Sequence, residues 1–242
     1  MTSEPLVSCL TVTQPGRLAE LERSASCFAR QSYPHRELVL VHDGDEAFDH
    51  QVRRVLDATG ALPHRVLRVD PGLPLGVLRN LSVKGAVGDL VCQWDDDDLY
   101  HPERLALQYR HLVETGVDFS FLTDQLHWFL NTGEFFWDDW NVEPRPMNLI
   151  QGTIMGRREL MPRYPALTRG EDTTLLEELH RQGAKLAGLA GRGYLYIYVF
   201  TGKNSWEFVH HGAISNYKRV RQRVSRLHAM ISSGAFGSTG CR

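Results

Sequence analysis

The chain has 242 residues, 42% of them hydrophobic, with 27 Lys plus Arg against 29 Asp plus Glu. That length suffices for one large buried core, and the balanced charge excludes a global pull toward nucleic acid. No stretch approaches the ~20 apolar residues of a membrane span, and the N-terminus has no secretory pattern. Cys9, Cys27, Cys92 and Cys241 lack paired or metal-type spacing, which fits a reducing, cytoplasmic setting.

In chain order, Leu6 to Val12 is an apolar run that predicts a buried strand, and Pro15-Gly16 turns the chain behind it. Leu18, Leu21, Ala25 and Phe28 recur at three- and four-residue steps, the period of a helix face. Glu37 to Val41 predicts a second strand, broken by Asp43-Gly44-Asp45 before a helix to about Thr59. Arg65 to Val69 predicts a third strand, and the loop Pro71 to Gly76 leads into a helix through Arg79, Asn80 and Lys84. Strand and helix alternate with short connections, so this half predicts a parallel, doubly wound sheet with right-handed crossovers.

Leu90 to Trp94 is the next strand, and it runs into Asp95, Asp96, Asp97 and Asp98. An extended chain would put Asp95 and Asp97 on one side and Asp96 and Asp98 on the other. Four adjacent carboxylates repel one another unless solvent or a cation offsets their charge. A solvated acidic loop is one reading. The other is a Mg²⁺ or Mn²⁺ site completed by substrate phosphates, and the location favours it, because open parallel sheets bind ligands at the carboxyl ends of their strands.

The second half is less regular. His101-Pro102-Glu103 predicts a helix start running to about Gly116, Val117 to Leu122 a strand, and Trp128 to Trp137 a hairpin around Asn131-Thr132-Gly133. Asp138 to Met147 reads as loop; there Trp137 and Trp140 are either core aromatics or an apolar platform for a sugar ring, with Asp138 and Asp139 beside it. Arg169-Gly170-Glu171-Asp172 opens a helix to Gly183, where the acidic pair also suits a first helical turn. Aromatic strand follows from Tyr194 to Phe200. In the tail, Val220, Val224, Leu227 and Ile231 share one face beside Lys218, Arg219, Arg221, Arg223 and Arg226. That predicts a basic amphipathic helix over 212–242, docked on the domain or held against anionic lipid.

Val7-Ser8-Cys9-Leu10, Glu37 through Gly44, Gly76-Val77-Leu78-Arg79-Asn80, Trp94 through Asp98 and Gly170-Glu171-Asp172, in that order, resemble glycosyltransferase family 2. The resemblance covers about 5–211 and implies the GT-A fold: α/β, a Rossmann-like doubly wound mixed sheet with an acceptor-side hairpin, here followed by a C-terminal helix. It divides 1–211 into a nucleotide-binding half (1–100) and an acceptor-binding half (101–211). It implies a nucleotide-sugar donor, with UDP expected on family grounds, and an inverting transfer dependent on Mn²⁺ or Mg²⁺. Thr13 would lie against the base, Asp43 would hydrogen-bond a uracil-type base, and Arg79 would contact the nucleotide. Asp95 and Asp97 fill the outer positions of the family's Asp-x-Asp element, with Asp97 the direct metal ligand; either Asp96 or Asp95 faces the ribose, since the extra aspartate leaves two registers open. Asp172 matches the general base, and Glu171 supports its loop or binds acceptor hydroxyls. His210 or His211 would complete the metal shell, unless it is an ordinary surface or core histidine.

Val12, Gln14 and Pro15 replace the usual first loop, His42 stands where an aspartate is common, and Thr201 where a histidine is. The expected acceptor is a carbohydrate, a lipid-linked molecule or a small molecule, with no nucleic-acid partner and oligomeric state open. The tail gives the chain a route to the inner membrane face. Two other functions stay open: a nucleotidyltransferase, for which Val12-Thr13-Gln14-Pro15-Gly16-Arg17 is only a thin phosphate loop, and a silent sugar-nucleotide-binding partner subunit.

Overall fold

Buried β-branched and aliphatic runs, each closed by a turn residue, set the first half of the molecule. In the computed structural model, which describes residues 4–202 and Asn204 together with the backbone of Gln222 and Arg223, these runs become β1 (Val7–Thr13), β2 (Arg36–His42), β3 (His64–Arg68) and β4 (Leu90–Gln93). Between them lie α1 (Leu18–Ala29), α2 (Glu46–Thr59) and α3 (Leu75–Gly85). Local chemistry fixes α2 at both ends: the Asp45 side chain accepts from the Phe48 N–H, and Gly60 takes the left-handed conformation at φ +70°. β1 lies parallel between β2 and β4, and β2 parallel to β3, as strand–helix alternation predicts.

Past β4 the pattern changes. β5 (Leu99–Tyr100), α4 (Arg104–Thr115), β6 (Phe119–Leu122), β7 (Asp124–Phe129) and β8 (Glu134–Asp139) follow. Then come β9 (Met155–Arg157), α5 (Glu171–Arg181), β10 (Leu186–Leu189) and β11 (Tyr196–Phe200). The main sheet has the order β10-β6-β9-β4-β1-β2-β3, and β9 runs antiparallel between β4 and β6. The sheet is therefore mixed, where the alternation of the first half alone implies a parallel one. Gly156 makes that insertion possible: a Cβ there would stand 2.1 Å from the Phe119 ring and 2.6 Å from the Asp118 carbonyl.

A second sheet, formed by Gln222–Arg223 (β12), β8, β7, β11 and β5 in that order, contains the expected hairpin. Its edge strand β12 is Gln222–Arg223, pairing antiparallel with Trp137 and Phe136. These two residues fall inside the expected tail helix and are extended, because the open edge of β8 offers backbone groups that a strand satisfies and a helix does not. The rest of that expectation, and His210 and His211, lie outside the described residues. No helix among the described residues is long and apolar enough to cross a membrane.

The two sheets meet over one core. Trp94 is fully buried, edge-on to Phe28 at 6.0 Å and against Tyr100 at 3.8 Å. Burial of side chains this size contributes roughly 1.5–3 kcal/mol each. Arg104, also fully buried, lies 4.6 Å from the Tyr100 ring centroid and donates to the Gln93 carbonyl at 3.1 Å. This core is a platform beneath the chain that leaves β4, and so it fixes where the four aspartates emerge.

Candidate active site

Parallel strands β1, β2 and β4 point their carboxyl ends at one cavity of about 530 Å³. Thr13 ends β1, Asp43 follows β2, and Asp95 to Asp97 follow β4, and all of them line it. The Thr11 hydroxyl donates to the Trp94 carbonyl at 2.7 Å, and the Trp94 N–H donates to the Leu10 carbonyl at 3.0 Å, locking these strand ends together. Asp172, Thr173, Trp140, Gln151 and Gly152 from the second half of the chain line the same cavity.

The aspartates do not alternate as an extended strand would. The chain turns at Asp96 and Asp97, so neighbours share partners instead of facing opposite ways. Arg17 Nη1 is 2.8 Å from Asp96 Oδ1 and 3.1 Å from Asp97 Oδ2. Asp95 accepts from Arg79 Nη1 at 2.9 Å and from Gln93 Nε2 at 2.8 Å. Asp98 is buried beside them, accepting from the Tyr196 hydroxyl at 2.6 Å and the Val199 N–H at 2.9 Å. It thereby ties the turn to β11. Burial, then the charge of Asp97, pushes the Asp96 carboxyl up to about 7 against the pull of Arg17. Burial raises Asp97 as well, and raises Asp98 well above the ordinary carboxylate range.

Arg79 is the link between the two halves. Although burial disfavours its charge, Asp95 and Glu171 hold it firmly protonated. Its Nε is 2.8 Å from Glu171 Oε1 while Nη1 holds Asp95, so both contacts of this residue expected at the nucleotide go to protein carboxylates at the cavity wall. Asn80, its neighbour, donates to the Tyr164 carbonyl at 2.8 Å and accepts from the Tyr164 N–H at 2.9 Å. Gly76 completes the seam, since a Cβ there would collide with the Pro165 carbonyl. The motif Gly76 to Asn80 thus clamps α3 to the segment that precedes α5.

Gly170, at φ +72°, turns the chain into α5 and separates the roles of the next two residues. Glu171 is buried on Arg79, and Asp172 lines the cavity. Burial, then the adjacent Glu171, pushes the Asp172 carboxyl up to about 6, against Arg79 and the Thr173 N–H that donates to it at 2.8 Å.

Thr13, Asp43, Arg79, Asp95, Asp96, Asp97, Asp172 and Trp140 all line the cavity; Glu171 stands behind it. Trp137 does not line it. It is half-buried, with its ring where a Gly193 Cβ would meet it at 3.1 Å, so of the two tryptophans only Trp140 faces the site. Asp138 belongs to β8 and not to a loop. It is buried against His127 Nδ1 at 3.2 Å and Gln125 Nε2 at 3.3 Å, which turns it from the sugar-binding position considered for it. Sequence reasoning missed Arg17, Gln93, Gln151, Tyr196 and Tyr198 as site residues. Arg17 alone carried a local signal, the short loop Gln14-Pro15-Gly16-Arg17.

The site's charge bears on a metal ion. Among the described residues Asp43, Asp95, Asp96, Asp97, Asp98 and Asp172 line the cavity against Arg17 and Arg79, and Asp96 Oδ2 is buried with no hydrogen-bond partner among them. An anionic diphosphate would enter such a wall only with added positive charge. Among the described residues no three His, Cys, Asp or Glu side chains converge on one point. These residues therefore fit an ion held by one or two carboxylates, its shell completed by phosphate and water, the arrangement Mg²⁺ and Mn²⁺ accept.

A doubly wound sheet that presents acidic residues at its strand ends, joined by a second sheet, is the GT-A class of fold. The sequence profile described as "Glycosyl transferase family 2" matches residues 16–162, and the chain belongs to that family. No sequence among curated proteins matches it. Among solved structures, S. aureus TarS superposes with a TM-score of 0.57 at 17% identity, covering 86% of this chain and 42% of TarS. The mannosyltransferase PcManGT from Pyrobaculum calidifontis, in complex with GDP-Man and Mn²⁺, gives 0.63 at 15% identity over 97% of this chain and 70% of its own. S. aureus TarS 1–349 in complex with UDP-GlcNAc gives 0.60 at 19% identity, with coverages of 86% and 61%. At these identities the likeness is one of fold, and the chain spans less than half the length of full TarS.

Proposed function

We propose that the chain is an inverting, divalent-metal-dependent glycosyltransferase that moves a sugar from a nucleotide-diphosphate sugar to an acceptor hydroxyl. One observation carries the reading: Asp172 lines the same cavity as Asp95, Asp96 and Asp97, and Arg79 ties Asp95 to Glu171, the residue before Asp172. Family membership and structural relatives in complex with UDP-GlcNAc and with GDP-Man and Mn²⁺ support it.

In this reading Asp43 and Thr13 bind the nucleoside and Asp95 or Asp96 the ribose. Asp97, with Asp95, would hold Mn²⁺ or Mg²⁺, an ion that neutralises the departing diphosphate. Asp172 takes the proton of the acceptor hydroxyl as that oxygen attacks the anomeric carbon from the face opposite the diphosphate, and the anomeric configuration inverts. A carboxyl raised to about 6 is ionised at neutral pH yet basic enough for that transfer. Trp140 offers an apolar face to a sugar ring. UDP is the proposed nucleotide on the family resemblance. The acceptor is a carbohydrate, lipid-linked or small-molecule hydroxyl.

The test is nucleotide release from UDP-, GDP- and dTDP-sugars with Mn²⁺, by wild type, Asp97→Ala and Asp172→Asn. Release by wild type from one nucleotide class, lost in Asp97→Ala, is the expected result. Binding of nucleotide with no release, even with a panel of sugar acceptors, would point to a silent binding subunit.

A further inference from the structure

The turn Gln14-Pro15-Gly16 delivers Arg17 to the acidic run, and a single nitrogen serves two carboxylates there, at 2.8 Å from Asp96 and 3.1 Å from Asp97. The arginine side chain is 14% exposed, and the two carboxylates are 2% and 13% exposed. Arg79, the other guanidinium that lines the cavity among the described residues, is held by Asp95 and Glu171. Among the described residues Arg17 is thus the positive charge paired with Asp96 and Asp97. It also occupies one oxygen of the proposed metal ligand: Asp97 Oδ2 accepts from Arg17 at 3.1 Å and from Asn204 Nδ2 at 3.1 Å. A divalent ion on that oxygen and a guanidinium in hydrogen-bond contact with it repel strongly in a part-buried wall. A guanidinium, however, matches phosphate oxygens in the same forked geometry as carboxylate oxygens.

We infer that Arg17 is an exchangeable counter-cation: it neutralises Asp96 and Asp97 while no donor is bound and transfers its hydrogen bonds to the donor diphosphate, so that the divalent ion enters with the nucleotide and not ahead of it. This rests on the metal-dependent nucleotide-sugar reading above. It gives the short loop after β1 a task in ordering the binding steps.

The test is calorimetric titration of the full chain with Mn²⁺ alone, and with UDP or GDP in the presence and absence of Mn²⁺. Wild type is compared with Arg17→Gln and Arg17→Lys. Arg17→Gln is expected to bind free Mn²⁺ about tenfold or more tightly than wild type, and to lose a similar factor of nucleotide affinity measured without metal. Arg17→Lys, which keeps the charge without the fork, falls between. A gain of metal affinity cannot come from a misfolded variant. Arg17→Gln that binds free Mn²⁺ no more tightly than wild type overturns the inference, as does metal-free nucleotide affinity left unchanged. Wild type that takes up no Mn²⁺ even with nucleotide, or Asp97→Ala that takes it up equally, overturns the metal site itself and this inference with it.

Discussion

The two halves of the chain build their share of the cavity by different means. From β1 to β4 the structure is serial: each strand is followed by a helix and by a parallel neighbour one crossover away, and Thr13, Asp43 and Asp95 fall at strand ends by topology. From β6 onward it is interleaved. β9 enters the main sheet antiparallel, β11 pairs with β7 and β5 in another sheet, and Asp172 reaches the cavity from a helix that follows a long irregular segment. The serial half places its groups by local rules. The interleaved half needs long-range ties, and Arg79 to Glu171 and Asp98 to Tyr196 are the principal ones.

That contrast is open to direct attack. The largest expected effect comes from Asp172→Asn, which leaves nucleotide affinity unchanged and lowers transfer about 10²- to 10⁴-fold. In wild type kcat/KM should rise with pH through about 6 and level above it, because a base at Asp172 would act only when ionised. The same substitution should raise Tm at pH 8. A carboxyl whose folded pKa lies above its unfolded value disfavours the fold once it ionises, increasingly as pH rises from about 4 to 6 and fully above that. At pH 4 the gain should vanish. Scans of Tm against pH for the two proteins check the sign.

Arg79→Met tests the tie between the halves. It leaves buried Glu171 and half-buried Asp95 without their cation, and the expected loss is about 3–5 kcal/mol in urea unfolding. A loss within the ordinary range for surface substitutions would mean the halves hold together without it. Tyr196→Phe tests the second tie. It strips a hydrogen bond from buried Asp98 at an expected loss of about 1–3 kcal/mol, with faster amide exchange at Val199, whose N–H shares that carboxylate. Asp45→Ala, in the serial half, removes only the cap on Phe48 N–H, and about 1 kcal/mol should go with it while donor affinity stays. If Asp45→Ala proved the more damaging of these last two, the distinction between local and long-range placement would fail.

Much of this was legible before any tertiary contact. Strands β1 to β4, the break at Asp43-Gly44-Asp45 before α2, its end near Thr59, the hairpin of β7 and β8 and the start of α5 all rest on residues within one or two turns of each other. So did the pairing of Asp95 to Asp97 with Asp43 and Asp172 as one site, because five short motifs stand in a set order. β9 was not legible: Met155-Gly156-Arg157 is too short to show a period, and what makes it a strand is a slot between β4 and β6 that Gly156 fits. The two tryptophans were equivalent in sequence, and only the seat of Trp137 beside Gly193 and of Trp140 on the cavity told them apart.

By itself, then, the sequence determined the elements of the nucleotide half, the family and the set of carboxylates that meet, since those depend on short-range periodicity, turn chemistry and motif order. The tertiary structure decided which partner each carboxylate has. Charges so close together are assigned by their partners, and those partners come from far along the chain: Arg17 for Asp96 and Asp97, Arg79 for Asp95 and Glu171, Tyr196 for Asp98. Four aspartates in a row are chemically alike until folding gives each a different neighbour.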